Sequence, residues 1–97
     1  MKEIDQILNN IRNSKPEIVK EFHVKEIGVF GSYIRGEEKA DSDIDILVDF
    51  EKPIDLFRFL DLEERLSELS GRKVDLVSKK ALKPHIGKVI LAEVQYL

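Results

Sequence analysis

The run Asp43-Ile44-Asp45-Ile46-Leu47-Val48 admits few backbone conformations. In an extended chain successive side chains point to opposite faces, and residues two apart share a face with Cα atoms roughly 6–7 Å from each other. Asp43 and Asp45 therefore lie on one face, and Ile44, Ile46 and Val48 on the other. The aliphatic face is core. The aspartate face has to be wet or neutralised, because burying two unpaired carboxylates is prohibitive. Residues 43–50, DIDILVDF, are thus predicted to form a strand that Glu51-Lys52-Pro53 ends.

The rest of the chain can be arranged around that strand. Ile4, Ile7, Leu8 and Ile11 recur at helical spacing and predict an amphipathic first helix. Ser14-Lys15-Pro16-Glu17 fits a capping box, with proline tolerated in the first turn, and predicts the start of a second, short helix buried through Ile18, Val19 and Phe22. Residues 24–30, VKEIGVF, read as a strand ending at Gly31. Asp55 is the expected N-cap of a long helix with a buried stripe of Leu56, Phe59, Leu62, Leu66 and Leu69. Asp61, Glu63, Glu64 and Glu68 face away, and Gly71 ends the helix. Residues 73–78, KVDLVS, form a third strand. The tail from Lys79 is helical with a break at Pro84, and Ile86, Val89, Ile90 and Val94 are expected to dock onto the sheet. This order predicts a small α/β (α+β) sandwich, helices packed against one small mixed sheet.

A length of 97 residues fits one domain over 1–97 with a modest core. A net charge of −3 argues against broad, sequence-independent binding to nucleic-acid backbone. No cysteine is present, which rules out disulfides and thiolate metal sites. No apolar run approaches membrane-spanning length and MKEIDQILNN lacks the apolar segment of a signal peptide, so the expected location is cytoplasmic and no membrane partner is expected.

A third acid bears on the aspartate face. Val74 and Leu76 point to the core, so Asp75 points the other way, and the fifteen or so helical residues between the two strands suffice to bring them side by side. If they are neighbours, Asp75 lands beside Asp43 and Asp45. Three carboxylates on one face repel one another unless a cation or proton intervenes. Mg²⁺ takes oxygen ligands and binds one or two carboxylates plus substrate phosphates, and two such ions about 3.5–4 Å apart clamp the oxygens of a phosphoryl transfer. Upstream, Gly31 permits a tight turn and close backbone approach. A short helix beginning at Ser32 offers N–H groups and a hydroxyl to phosphate, and Arg35 can turn its fork to the same oxygens. Singly each feature has an ordinary reading: a turn, the wet side of an edge strand, a surface acid, a solvated arginine. In this order they read as a phosphate cradle followed by a metal clamp. His23, His85, Tyr33 and Tyr96 carry no chemistry that position alone supports.

With these residues in place, GSYIRG…SDIDILV followed by VDLV resembles the pattern of minimal nucleotidyltransferases in the DNA polymerase β superfamily, and more narrowly the MntA-type antitoxins of HEPN/MNT toxin–antitoxin pairs. The resemblance extends over nearly the whole chain and departs at Ile34, where alanine is common. It implies the polymerase β-like nucleotidyltransferase fold, phosphate contacts from Gly31, Ser32 and Arg35, and Mg²⁺ ligands at Asp43, Asp45 and Asp75, the last also helping to activate the attacking hydroxyl. The implied reaction carries AMP from ATP to a hydroxyl of another macromolecule, in the antitoxin branch a tyrosine of the partner HEPN ribonuclease toxin. A chain of this size favours an acceptor brought by a partner. Two other readings use the same residues: an antitoxin that inhibits by binding alone, and a nucleotidyltransferase acting on a small molecule or a tRNA end.

Overall fold

The computed structural model describes residues 3–97; Met1 and Lys2, which begin the span read as one domain, lie outside the described residues. The elements in chain order are α1 (Glu3–Phe22), β1 (Val24–Phe30), α2 (Ser32–Arg35), β2 (Ile44–Phe50), α3 (Leu56–Ser70), β3 (Val74–Ser78), a 3-10 turn (Lys79–Ala81), α4 (Pro84–Glu93) and β4 (Gln95–Tyr96). The strands form one mixed sheet in the order β3-β2-β1-β4. β2 runs antiparallel to β1, from Val24 opposite Phe50 to Phe30 opposite Asp45, with an irregularity between Val24 and Glu26. β3 pairs parallel to β2, and Asp45 stands opposite Asp75.

The alternation in β2 determines which way the sheet faces. Ile44, Ile46 and Val48 are completely buried against Ile7, Ile11, Ile18 and Phe22 of α1 and Leu62 and Leu66 of α3, within one apolar cluster. Each such side chain stabilises the fold by about 1.5–3 kcal/mol. A slip of one residue would turn all three outward, so the register is firmly held and the aspartates stay off the core face.

α1 departs from the two-helix expectation. It runs unbroken through Pro16, and Ser14 starts nothing. The buried residues Ile7, Ile11, Ile18 and Phe22 keep a single helical phase across the proline. Burial of that stripe therefore outweighs the hydrogen bond that proline removes. His23, with φ of 55°, then turns the chain into β1, and its carbonyl accepts the Glu51 N–H at 2.8 Å.

α3 begins and ends as the sequence predicts. The Asp55 carboxylate accepts the Arg58 N–H at 2.9 Å, and Gly71 closes the helix in the left-handed conformation. Its stripe is shorter than expected, because the first turn overhangs the sheet and leaves Leu56 67% exposed. Glu63, expected to face solvent, instead accepts the Leu76 N–H at 3.0 Å, and the Ser67 hydroxyl accepts that of Val74 at 3.1 Å. The free edge of β3 is thus covered by its own connecting helix, which blocks pairing with another chain.

The tail also differs. Ile86 and Val89 are exposed rather than docked; Gly87 is the buried residue of α4, lying against Leu82, while Ile90 and Val94 are half-buried. Beyond α4 the chain forms the unanticipated β4, whose Gln95 and Tyr96 pair antiparallel with Val29 and Gly28. Gly28 makes this possible. A Cβ there would sit 2.7 Å from Val94 Cγ2 and 2.9 Å from the Gln95 carbonyl oxygen. Gly28→Ala is expected to lower stability by about 1–3 kcal/mol, read by urea denaturation, with accelerated amide exchange at Leu97, whose N–H bonds the Ile27 carbonyl at 2.9 Å.

Candidate active site

The acids gather at the end of the sheet where β2 and β3 begin. Asp45 and Asp75 are register partners on adjacent parallel strands, so their Cα atoms lie about 4.8 Å apart and their side chains leave the same face. Asp43 falls one residue before β2 rather than inside it, and is exposed. It is held by the preceding loop: the Ser42 hydroxyl accepts the Lys39 N–H at 2.8 Å, while Arg72 donates to the Ala40 carbonyl at 2.6 Å and to Glu3 at 2.9 Å. The loop carrying the first acid is therefore tied both to itself and to α1.

Gly31 meets this cluster directly. It adopts φ 82° and ψ −155°, which side chains other than hydrogen rarely tolerate, and a Cβ built there would collide with the Asp45 carboxylate. The bend and the acids are thus in contact. The Gly31 carbonyl accepts the N–H groups of Ile34 and Arg35 at 3.0 and 3.1 Å, starting the four-residue α2, and Gly36 ends it in the left-handed conformation. The N–H groups of Ser32 and Tyr33 fall in the first turn, where helical partners are lacking. Tyr33, unassigned from the sequence, anchors this helix: its ring is buried and its hydroxyl donates to Glu3 at 3.1 Å. Burial and the Glu3 carboxylate together push the Tyr33 phenol above its ordinary range.

Arg35 is a cation of this constellation, and acids already hold it. Its Nε donates to Glu37 at 2.6 Å, and its Nη1 donates to both carboxylate oxygens of Glu93, at 3.1 and 3.0 Å. Glu93 Oε1 also accepts the Gly31 N–H at 3.2 Å. Sequence reasoning passed over Glu93, which no local pattern singles out; pairing of β4 with β1 delivers it.

The electrostatics favour a cation. Asp45 is held above the ordinary carboxylate range, first by burial, then by the charges of Asp75 and Asp43, with Glu93 adding to the effect and Arg35 opposing it. The donor set is oxygen only, the chemistry Mg²⁺ selects. Among the described residues, however, no three acids or histidines converge closely enough to form a ready-made metal site. The acids fit a hard divalent ion by chemistry and by charge.

The sign of the Asp45 shift makes a prediction. A raised folded-state pKa means the carboxylate contributes stability only while protonated, and that contribution is lost as pH rises through the raised value. At neutral pH charged Asp45 is a cost. Asp45→Asn should raise the melting temperature at pH 7, with a gain that shrinks toward pH 4; thermal scans across that range check it.

Comparison with known proteins shows the family. The nucleotidyltransferase domain family matches residues 11–97. The chain is similar, at 53% identity over 97 residues covering all of it and 95% of the relative, to the protein adenylyltransferase MntA of Thermococcus cleftensis. A solved structure provisionally assigned as a minimal nucleotidyltransferase superposes with a TM-score of 0.81 at 33% identity, covering 100% of this chain and 97% of that one. A toxin–antitoxin crystal structure with AMP-PNP shares the fold, at a TM-score of 0.70 and 24% identity over 99% of this chain and 72% of that one. With the family's domain matched over residues 11–97 and a protein adenylyltransferase 53% identical over the whole chain, the chain belongs to the nucleotidyltransferase family and is an enzyme of that class.

Proposed function

We propose that residues 1–97 act as a single minimal nucleotidyltransferase domain that transfers AMP from ATP to a tyrosine hydroxyl of a HEPN-type ribonuclease toxin, silencing it as its cytoplasmic antitoxin. The observation that carries this reading is the register pair Asp45–Asp75, with the Asp45 carboxylate against the Gly31 bend. The relative at 53% identity over this whole chain, a protein adenylyltransferase by name, supports the substrate class.

Transfer of a nucleotidyl group asks a protein mainly for positioning and charge neutralisation. The backbone N–H groups and hydroxyl at Ser32 hold the phosphates, and Arg35 adds a guanidinium edge. Asp43, Asp45 and Asp75 would hold two Mg²⁺ ions, which when bound would neutralise the acids and withdraw charge from the phosphates. The acceptor oxygen forms a bond to the α-phosphorus as the bond to pyrophosphate breaks. Asp75, exposed at the mouth of the cluster, takes the acceptor's proton. An acceptor on a protein suits the surroundings better than one on RNA: the chain is net negative, and α4, whose last residue reaches the bend, exposes Ile86, Val89 and Leu91.

The test incubates the chain and its toxin with Mg²⁺ and ATP labelled at the α-phosphate. Label should appear on a toxin tyrosine and ribonuclease activity should fall. Asp45→Asn and Asp75→Asn should each reduce transfer roughly a hundredfold or more without unfolding the chain. Inhibition without label would leave a binding-only antitoxin, and label on tRNA or a small molecule would replace the acceptor class.

Divalent cation should also be visible without turnover. Mg²⁺ is expected to raise the melting temperature of the wild-type chain and to do so much less in Asp45→Asn, because the repulsion it relieves is already gone. Equal shifts in both proteins would remove Asp45 from the ligand set.

A further inference from the structure

We infer that Glu93 is a positioning residue for the phosphate-binding bend, acting through Gly31 and Arg35. This rests on the nucleotide-site reading of Gly31, Ser32 and Arg35 above. One carboxylate grips both ends of α2: Oε1 takes the Gly31 N–H at 3.2 Å, and both oxygens take Arg35 Nη1. These bonds span 62 and 58 residues of sequence, so they are made by the fold and not by local geometry. The Glu93 side chain is only 20% exposed, which shields its charge-assisted bonds from water.

α2 needs such a grip. Four residues are far too few for a helix to hold itself together. Gly31 occupies a backbone region that glycine enters readily and leaves as readily, so its conformation alone does not aim the peptide planes that follow. The Gly31 N–H belongs to the peptide plane that enters the bend, and Arg35 closes α2 at the other end; with both held on Glu93, α2 is fixed from entry to exit, and the Ser32 and Tyr33 N–H groups between them keep one direction. Tyr33 ties the helix to α1 from the other side. Arg35 is oriented by the same contact: Glu37 takes Nε and Glu93 takes Nη1, which leaves Nη2 as the nitrogen neither acid uses.

Glu93 reaches the bend because the next residues are pinned. β4 lies against Gly28 at a distance only glycine allows, and Glu93 sits two residues before it. Its charge adds to the repulsion on Asp45, so its location does nothing to ease the acid cluster. What it stabilises is the bend.

The test uses Glu93→Ala and Glu93→Gln in the full chain, measuring AMP-PNP binding with Mg²⁺ by calorimetry, KM and kcat for transfer, and melting temperature. Glu93→Ala should raise Kd and the KM for ATP roughly tenfold, with a smaller effect on kcat and little change in melting temperature. Glu93→Gln retains an oxygen for the Gly31 N–H and should recover part of the affinity. Unchanged affinity in Glu93→Ala overturns the inference. Tighter binding also overturns it, making Glu93 a competitor for phosphate. A fall in melting temperature that tracks the affinity, with no recovery by glutamine, reduces Glu93 to a structural contact. A wild-type chain that binds no AMP-PNP overturns the site reading and this inference together, whereas wild-type binding that Glu93→Ala leaves intact overturns this inference alone.

Discussion

Parallel pairing of β2 with β3 sets Asp45 against Asp75, and the candidate site at this end of the sheet is organised around that repulsion. Like charges opposite each other in a sheet destabilise it by up to about 1 kcal/mol. On the reverse face Ile44, Ile46 and Val48 are fully buried, each contributing about 1.5–3 kcal/mol. The core term wins by a wide margin. A sheet can therefore keep two carboxylates together although Arg35 only partly offsets the burial and like-charge repulsion that raise Asp45.

Two glycines extend that logic to the neighbouring strand. At Gly28 the missing side chain admits β4, and at Gly31 it admits the Asp45 carboxylate. Both lie on or just after β1, three residues apart, yet they serve opposite ends of the tertiary argument. One closes the sheet edge with the tail of the chain; the other joins the bend to the acids. Since Glu93 sits just ahead of β4 and bonds Gly31, the first close approach helps to place the second.

What could be read from the sequence was what local periodicity encodes. The two-residue period of β2 and β3 gave the shared face of Asp45 and Asp75, and Asp55 and Gly71 marked the ends of α3 because caps are local chemistry. Errors arose wherever burial by distant elements decided. Pro16 looked like a helix start until the in-phase stripe of Ile11, Ile18 and Phe22 is seen packed across it. Leu56, Ile86 and Val89 fit helical stripes, but the sheet does not reach under them. β4 is two residues long and has no pattern of its own; its partner strand and Gly28 define it. Glu93 was invisible for the same reason, being one surface acid among many until the tail is folded back.

Arg35 shows how such a site can be half legible. Its residue type and its place after the glycine–serine pair mark it as an anion-binding group, and the fold does give it anions, the carboxylates of Glu37 and Glu93. A guanidinium has five N–H donors in a rigid fork, so bonds to protein acids on two nitrogens do not exhaust it. They set its plane. An arginine free to rotate would lose side-chain entropy on binding a nucleotide, whereas one already clamped has met that cost on folding. The same reasoning applies to the bend beside it: a glycine chosen for its freedom must be restrained by something else if it is to present N–H groups in one direction. The chain supplies that restraint from its far end, so the motif and the C-terminal tail act as one unit.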